Sequence, residues 1–112
     1  MKKIEATIRV EKLGVVKEAL EKSGYPGMTV IAVEGHGKQK GLVQQFRGRE
    51  YKVDLLPKRK IEIVAKDGDL ERILKTIVEV GRTGEIGDGK IFVSSVDEVM
   101  RIRTGETGES AL

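Results

Sequence analysis

One pattern occurs twice in this chain at a fixed offset. Ile4-Glu5 recurs as Ile61-Glu62, Leu13 as Leu70, Val16 as Ile73, Leu20 as Ile77 and Gly24 as Gly81. Each copy reads strand, helix, strand. Over Lys3–Val10, apolar Ile4, Ala6, Ile8 and Val10 alternate with Lys3, Glu5, Thr7 and Arg9, the period of a half-buried strand. Leu13, Val16, Ala19 and Leu20 then fall at helical spacing, with Gly24 at the helix end and Pro26 beyond it. Met28–Val33 is a nearly continuous apolar strand. In the second copy Lys60–Lys66 reads as a strand. Leu70, Ile73, Leu74, Ile77 and Val78 form one apolar stripe of a helix over Gly68–Gly81. Asp67 and Asp69 stand at its positive N-terminal end. Ile91–Val93 is the last strand, Val96–Met100 a short turn or helix, and Met100–Arg103 extended. The small polar residues after Arg103 are expected to fray unless a ligand or partner orders them.

Two such units in one sheet predict an α+β fold, a ferredoxin-like βαββαβ sandwich in a single domain over residues 1–112. Right-handed crossovers place both helices on the same face. Ile31, Val33, Ile63, Val64, Phe92 and Val93 cannot all point at two helices. The open face of the sheet is therefore expected to pack against another subunit.

Composition excludes several chemistries. There is no Cys, and His36 is the only His, so neither thiol chemistry nor a multi-histidine metal site fits one chain. No triad or paired acid–base constellation stands out. The N-terminus alternates instead of carrying the apolar run of a leader, which points to the cytoplasm. A net charge of +3 permits anionic partners and equally fits a mildly basic solvated surface.

Two stretches depart from the scaffold pattern. Gly35–Lys58 shows no strand or helix period, and a long loop of this kind inside a compact domain is usually functional or disordered. It opens with glycines and basic residues, and its middle carries Phe46, Arg47, Arg49 and Tyr51. The second departure is an insertion of about five residues in the second copy, within Arg82–Lys90. There, Gly84–Lys90 fits G-x-x-x-x-G-K. Residue 91 is Ile where a magnesium-binding hydroxyl belongs, and a strand follows instead of a helix, so this is not an NTPase P-loop. The local physics still suits an anion, because glycines let backbone N–H groups converge and Lys90 adds charge. An ordinary Gly-rich turn fits as well. Gly35-His36-Gly37 lacks the third glycine and the helix of a dinucleotide turn. Arg101 and Arg103, alternating across Ile102 in an extended segment, would face the same way and repel unless they meet an anion or solvent. Lys38, Lys90, Arg101 and Arg103 together form a candidate polyphosphate site. His36 reads as a polar residue at the loop edge.

The strings GMTVIAVEGHGKQKG (Gly27–Gly41), FRGREYKVDLLPKRKIEIV (Phe46–Val64), TGEIGDGKIFV (Thr83–Val93) and RIRTGE (Arg101–Glu106) resemble the PII signal-transduction proteins of nitrogen regulation. The resemblance spans nearly the whole chain and leans toward the subgroup that controls ammonium transporters. It implies a homotrimer of ferredoxin-like subunits with ATP or ADP in the clefts between them. It also implies a T-loop near residues 37–57, a B-loop near 82–90 and a C-terminal tail over 101–112. Carried over residue by residue, Thr83, Gly87, Asp88, Gly89 and Lys90 would cradle phosphates with Arg101, Arg103 and Lys38. Gly35 and Gly37 would let the loop root approach, and Thr29 and Val64 would lie near the base. Gln39 matches the magnesium ligand that joins ATP to 2-oxoglutarate. Gln39, Lys40, Gly41, Lys58 and Gly87 match the 2-oxoglutarate contacts. Phe46, Arg47, Arg49 and Tyr51 would meet the partner, an ammonium transporter whose cytoplasmic pore mouth takes Arg47, or other nitrogen-metabolism enzymes. The resemblance implies a non-catalytic regulator, cytoplasmic and recruited to the membrane by that transporter.

Departures from the family are specific. Lys38 stands where Arg is common and loses the bidentate fork. Arg49 replaces a Ser that some members phosphorylate, and Tyr51 matches a uridylylated Tyr. Val10-Glu11 replaces a Pro-containing pair, a change expected to affect only a strand end. Two other functions suit the fold class. An RNA-binding module would need aromatics on the central strands, and KIEIVAK (Lys60–Lys66) has none, so no nucleic-acid partner is expected. A small phosphatase of this fold class would need an Asn, and the chain has none.

Overall fold

The repeated pattern folds into a repeated structure. The computed structural model describes residues 1–36, 43–46, 49–52 and 55–112. β1 (Lys2–Arg9) leads through a 3-10 turn at Val10–Lys12 into α1 (Leu13–Lys22) and then β2 (Thr29–Gly35). β3 (Val43–Phe46) and β4 (Arg49–Lys52) follow. β5 (Leu56–Ala65), a 3-10 turn at Asp67–Asp69, α2 (Leu70–Gly81) and β6 (Lys90–Ser95) complete the second unit, and a 3-10 turn at Gly108–Ala111 ends the chain. β2, β5, β1 and β6 form one sheet in that order, antiparallel throughout. This is the expected ferredoxin-like arrangement, with β1 paired on both sides.

The alternation in β1 buries Ile4, Ala6 and Ile8, and β5 buries Ile61, Ile63 and Ala65 beside them. Val16 and Leu20 of α1 and Ile73 and Ile77 of α2 close the core from one face. α1 stops as its glycine suggested: Gly24 has φ +91°, and the Tyr25 N–H reaches back to the Leu20 carbonyl at 2.9 Å. Asp69, ahead of α2, accepts a hydrogen bond from the Tyr25 hydroxyl, which ties the two crossovers together. Asp67 pairs instead with the N-terminal amine at 2.9 Å.

Several expectations change. Gly35–Lys58 is not without strands: β2 runs to Gly35, β5 begins at Leu56, and β3 pairs with β4. The charged Leu56–Lys60 run hid the start of β5, because one face of that strand is polar. Val96–Met100 forms no helix. Met100–Arg103 is not extended, since the Gly105 N–H bonds the Arg101 carbonyl at 2.8 Å in a tight turn. The tail does not fray: Met100 bridges Thr107, and the Gly108 N–H binds the Val99 carbonyl at 3.0 Å.

The open face also differs from its expected apolar character. Pairing register puts Ile31, Val33, Val64 and Phe92 on it, but Ile63 and Val93 on the helix side. Its centre is ionic. Lys3 lies 3.2 Å from Glu5 and 3.6 Å from Glu62, and Lys60 lies 3.3 Å from Glu62 and 3.9 Å from Glu5. The face is a quartet of alternating charges with apolar residues around it.

The core sets a first test. Ile73 is fully buried against both units of the repeat. Ile73→Ala should cost about 2–5 kcal/mol through lost burial and a residual cavity. Urea unfolding at fixed protein concentration measures it, and a loss under about 1 kcal/mol would show that the two units do not share one core.

Candidate functional site

The inserted turn is locked by its own acid. The Asp88 carboxylate accepts hydrogen bonds from the Thr83 N–H at 2.9 Å, the Gly84 N–H at 2.9 Å and the Thr83 hydroxyl. Arg9 Nε, from the end of β1, donates to it at 2.9 Å. These bonds, the Thr83 hydroxyl foremost and Arg9 next, hold the carboxyl well below the usual Asp range. Thr83 Oγ1 in turn accepts the Glu85 N–H at 3.1 Å. Arg9 also donates to the Ile86 carbonyl at 2.9 Å.

Glycine is required at the end of this turn. Gly89 has φ +97°, and a Cβ there would lie 1.8 Å from the Thr7 carbonyl oxygen of β1. No side chain fits, so the turn's backbone sits directly against the central strand. Gly87, at φ +106°, precedes it. Its carbonyl accepts a hydrogen bond from Lys58 Nζ at 2.7 Å. Lys58 is buried on β5, and burial, followed by the neighbouring Arg9, pulls its amine below the ordinary Lys value. Gly35 completes the wall, since a Cβ there would crowd Lys58 Cγ at 3.2 Å.

These groups border a cavity of about 530 Å³ on the open face, with Gly35, His36, Lys58, Gly87, Lys90 and Phe92 in its lining. That volume suits a small ligand. Lys90 makes no ion pair among the described residues. Ile86 and Phe92, both mostly exposed, give the cavity an apolar lip.

The remaining candidates lie elsewhere. Thr29 and Gly35 are the two ends of β2, about 20 Å apart at a rise of ~3.3 Å per residue. Thr29 pairs with Glu62, and Val64 lies further along the same end of β5. β6 carries the chain from Lys90, opposite Thr7, to Ser95, opposite Lys2. The segment with Arg101 and Arg103 therefore leaves the sheet at the end far from the inserted turn. Neither Arg101 nor Arg103 lines the cavity that Lys90 borders. Nor do the two arginines repel as extended neighbours. Arg101 pairs with Glu106 at 3.3 Å and donates to the carbonyls of Ser110 and Leu112, while Arg103 is exposed in the turn.

Gly37, Lys38, Gln39, Lys40, Gly41 and Arg47 lie outside the described residues, and Phe46, Arg49 and Tyr51 are placed only as members of β3 and β4. Sequence reasoning missed Arg9, which looked like one more outward polar residue of β1. It also misjudged Glu11, whose carboxylate lies 3.9 Å from Arg9 and so reaches the site and not only a strand end.

Compared with known proteins, residues 1–106 match the family model described as Nitrogen regulatory protein P-II. The chain belongs to the P-II family. It is 58% identical over 112 residues to nitrogen regulatory protein P-II 2 of Methanothermobacter thermautotrophicus, covering 97% of that protein. It is 54% identical over 112 residues to the P-II proteins of Pyropia yezoensis and Rhodobacter capsulatus, covering 100% of each. As a P-II protein the chain is a regulator of nitrogen metabolism. No helix among its described residues is long and apolar enough to cross a membrane.

The P-II turn has a pH signature. Because the folded Asp88 carboxyl lies below its unfolded value, the lock's contribution is complete above the ordinary Asp value of about 3.9 and is lost as pH falls below it. Asp88→Asn should remove that contribution at neutral pH and flatten this part of the curve. Urea unfolding at pH 7 and pH 3 checks it: wild type should lose more stability between the two than the variant, and equal losses would contradict the lock.

Proposed function

We propose that this chain is a regulator without turnover of its own. It works as a homotrimer that takes ATP or ADP in the clefts between copies and 2-oxoglutarate beside the nucleotide, and it acts on an ammonium transporter through the long loop. The observation that carries this reading is the division of the candidate residues between opposite ends of one sheet. Gly87, Asp88, Gly89 and Lys90, with Gly35 and Lys58, line a cavity at one end, while Thr29 and Val64 lie at the other, where β6 delivers the chain at Ser95, six residues before Arg101. A closed ring of copies brings the first set of one subunit to the second set of the next. The cavity and the side-chain-free approach at Gly89 fit a phosphate chain held by backbone N–H groups and Lys90. Arg101 and Arg103 of the adjoining copy would supply further cations, and Thr29 and Val64 the base contacts.

The buried amine of Lys58 suits one carboxylate of 2-oxoglutarate. A dicarboxylate beside a polyphosphate is repelled unless a divalent cation bridges them. Magnesium is the cation proposed, with Gln39 as its protein ligand and Lys40 and Gly41 as further 2-oxoglutarate contacts. ADP leaves the loop free to reach the transporter, and ATP with 2-oxoglutarate draws it away. A ligand shifts the loop only by favouring one conformer, and contacts at the loop root do so. An RNA-binding reading is disfavoured, because β1 and β5 offer the open face an ionic quartet and no aromatic platform.

A shared site is tested by complementation. Lys90→Ala and Arg101→Ala chains should each lose ATP affinity about tenfold or more, since charged hydrogen bonds are worth ~1.5–3 kcal/mol. Trimers reassembled from a mixture should regain wild-type sites at interfaces that pair an intact Lys90 with an intact Arg101. Calorimetry showing no recovery on mixing would place the site within one chain. The loop is tested separately by replacing Leu42–Lys52 with a short Gly linker. Trimer formation and ATP binding should persist while capture of the ammonium transporter is lost; continued capture would remove the loop as output.

A further inference from the structure

Arg9 touches the inserted turn at two points, on either side of Gly87. Its Nε donates to Asp88 Oδ1 and one terminal nitrogen donates to the Ile86 carbonyl, each at 2.9 Å. The side chain is 14% exposed, so these bonds are partly shielded from water. Lys58 holds the next carbonyl, that of Gly87, at 2.7 Å. In a trans peptide the N–H points opposite to the C=O, and the described residues contain no cis peptide. With the Ile86 and Gly87 carbonyls turned toward two cations, the N–H groups of Gly87 and Asp88 must turn away from them. Two successive N–H groups of that kind beside a glycine at positive φ make an anion-binding concavity.

We propose that Arg9 is a positioning residue of the anion site: by bridging Asp88 and the Ile86 carbonyl it sets the peptide planes that present these N–H groups to a phosphate. This rests on the nucleotide reading above. Asp88 still accepts Thr83 and Gly84 without Arg9, so the turn would stay closed on itself. It would lose its side-chain tie to β1, and the Ile86–Gly87 plane would lose the donor that orients it. The role needs the guanidinium fork, since a single ammonium has no rigid pair of donors to span both acceptors. Glu11, 3.9 Å from the same guanidinium on its other side, leaves both bonds in place.

Calorimetry with ATP on full-length trimers, together with amide NMR of the ligand-free protein, tests this. Arg9→Gln should weaken ATP tenfold or more and displace the Gly87 and Asp88 amide resonances, with those of β1 and β5 little changed. Arg9→Lys keeps the charge and the fold, and should remain within about threefold of Arg9→Gln in affinity because one acceptor stays unserved. If Arg9→Lys restores wild-type affinity, Arg9 acts as a charge and the positioning role is overturned. Unshifted Gly87 and Asp88 amides in both variants overturn it as well. If wild type itself fails to bind ATP, the nucleotide reading falls, and the amide shifts alone then decide whether Arg9 sets these peptide planes.

Discussion

The contact on which the rest depends is that between the Gly89 backbone and the Thr7 carbonyl of β1. No atom beyond glycine's fits between them. β1, like β5, is paired on both sides, so the turn rests on the interior of the sheet and not on an edge strand. Everything around it follows from that seat. Arg9 leaves β1 two residues further on and reaches back to the turn. Lys90 opens β6 opposite Thr7. Lys58 approaches from β5, the strand paired to the other side of β1.

The fold was legible because its determinants are local and periodic. Ile4, Ala6 and Ile8 declare a buried strand face by alternation, and Leu70, Ile73, Leu74 and Ile77 declare a helix by their stripe. Gly24 marked a helix end and has the positive φ that role needs. What escaped reading was non-local. Arg9 meets Asp88 across 79 residues of sequence, and nothing in IRVEK distinguishes it from a solvated arginine. Arg101 and Arg103 looked like a convergent pair because extended backbone was assumed, and Glu106 and the last carbonyls close that segment into a turn. The tail looked frayed because small polar residues bury little. Its order comes from backbone bonds and one arginine.

The glycine-rich insertion stood out in the sequence as a candidate anion site or an ordinary turn, but the bonds its own acid makes could not be read the same way. In the sequence, Asp88 enters only through the family resemblance, as one of the residues that would cradle phosphates. In the structure its carboxylate is consumed by Thr83, Gly84 and Arg9. Its charge serves as the fastener that shapes the turn.

The ionic quartet on the open face has a consequence in heat. Lys3, Glu5, Lys60 and Glu62 alternate so that each charge faces two of opposite sign. Taking such groups out of water is costly at room temperature, and their hydration weakens as temperature rises while burial of Ile4 or Ile73 gains little more. If this face is covered, the core of the subunit and the centre of its sheet therefore age differently on warming. The first holds its strength and the second gains it, so the covered face becomes relatively more secure where an all-apolar face would not.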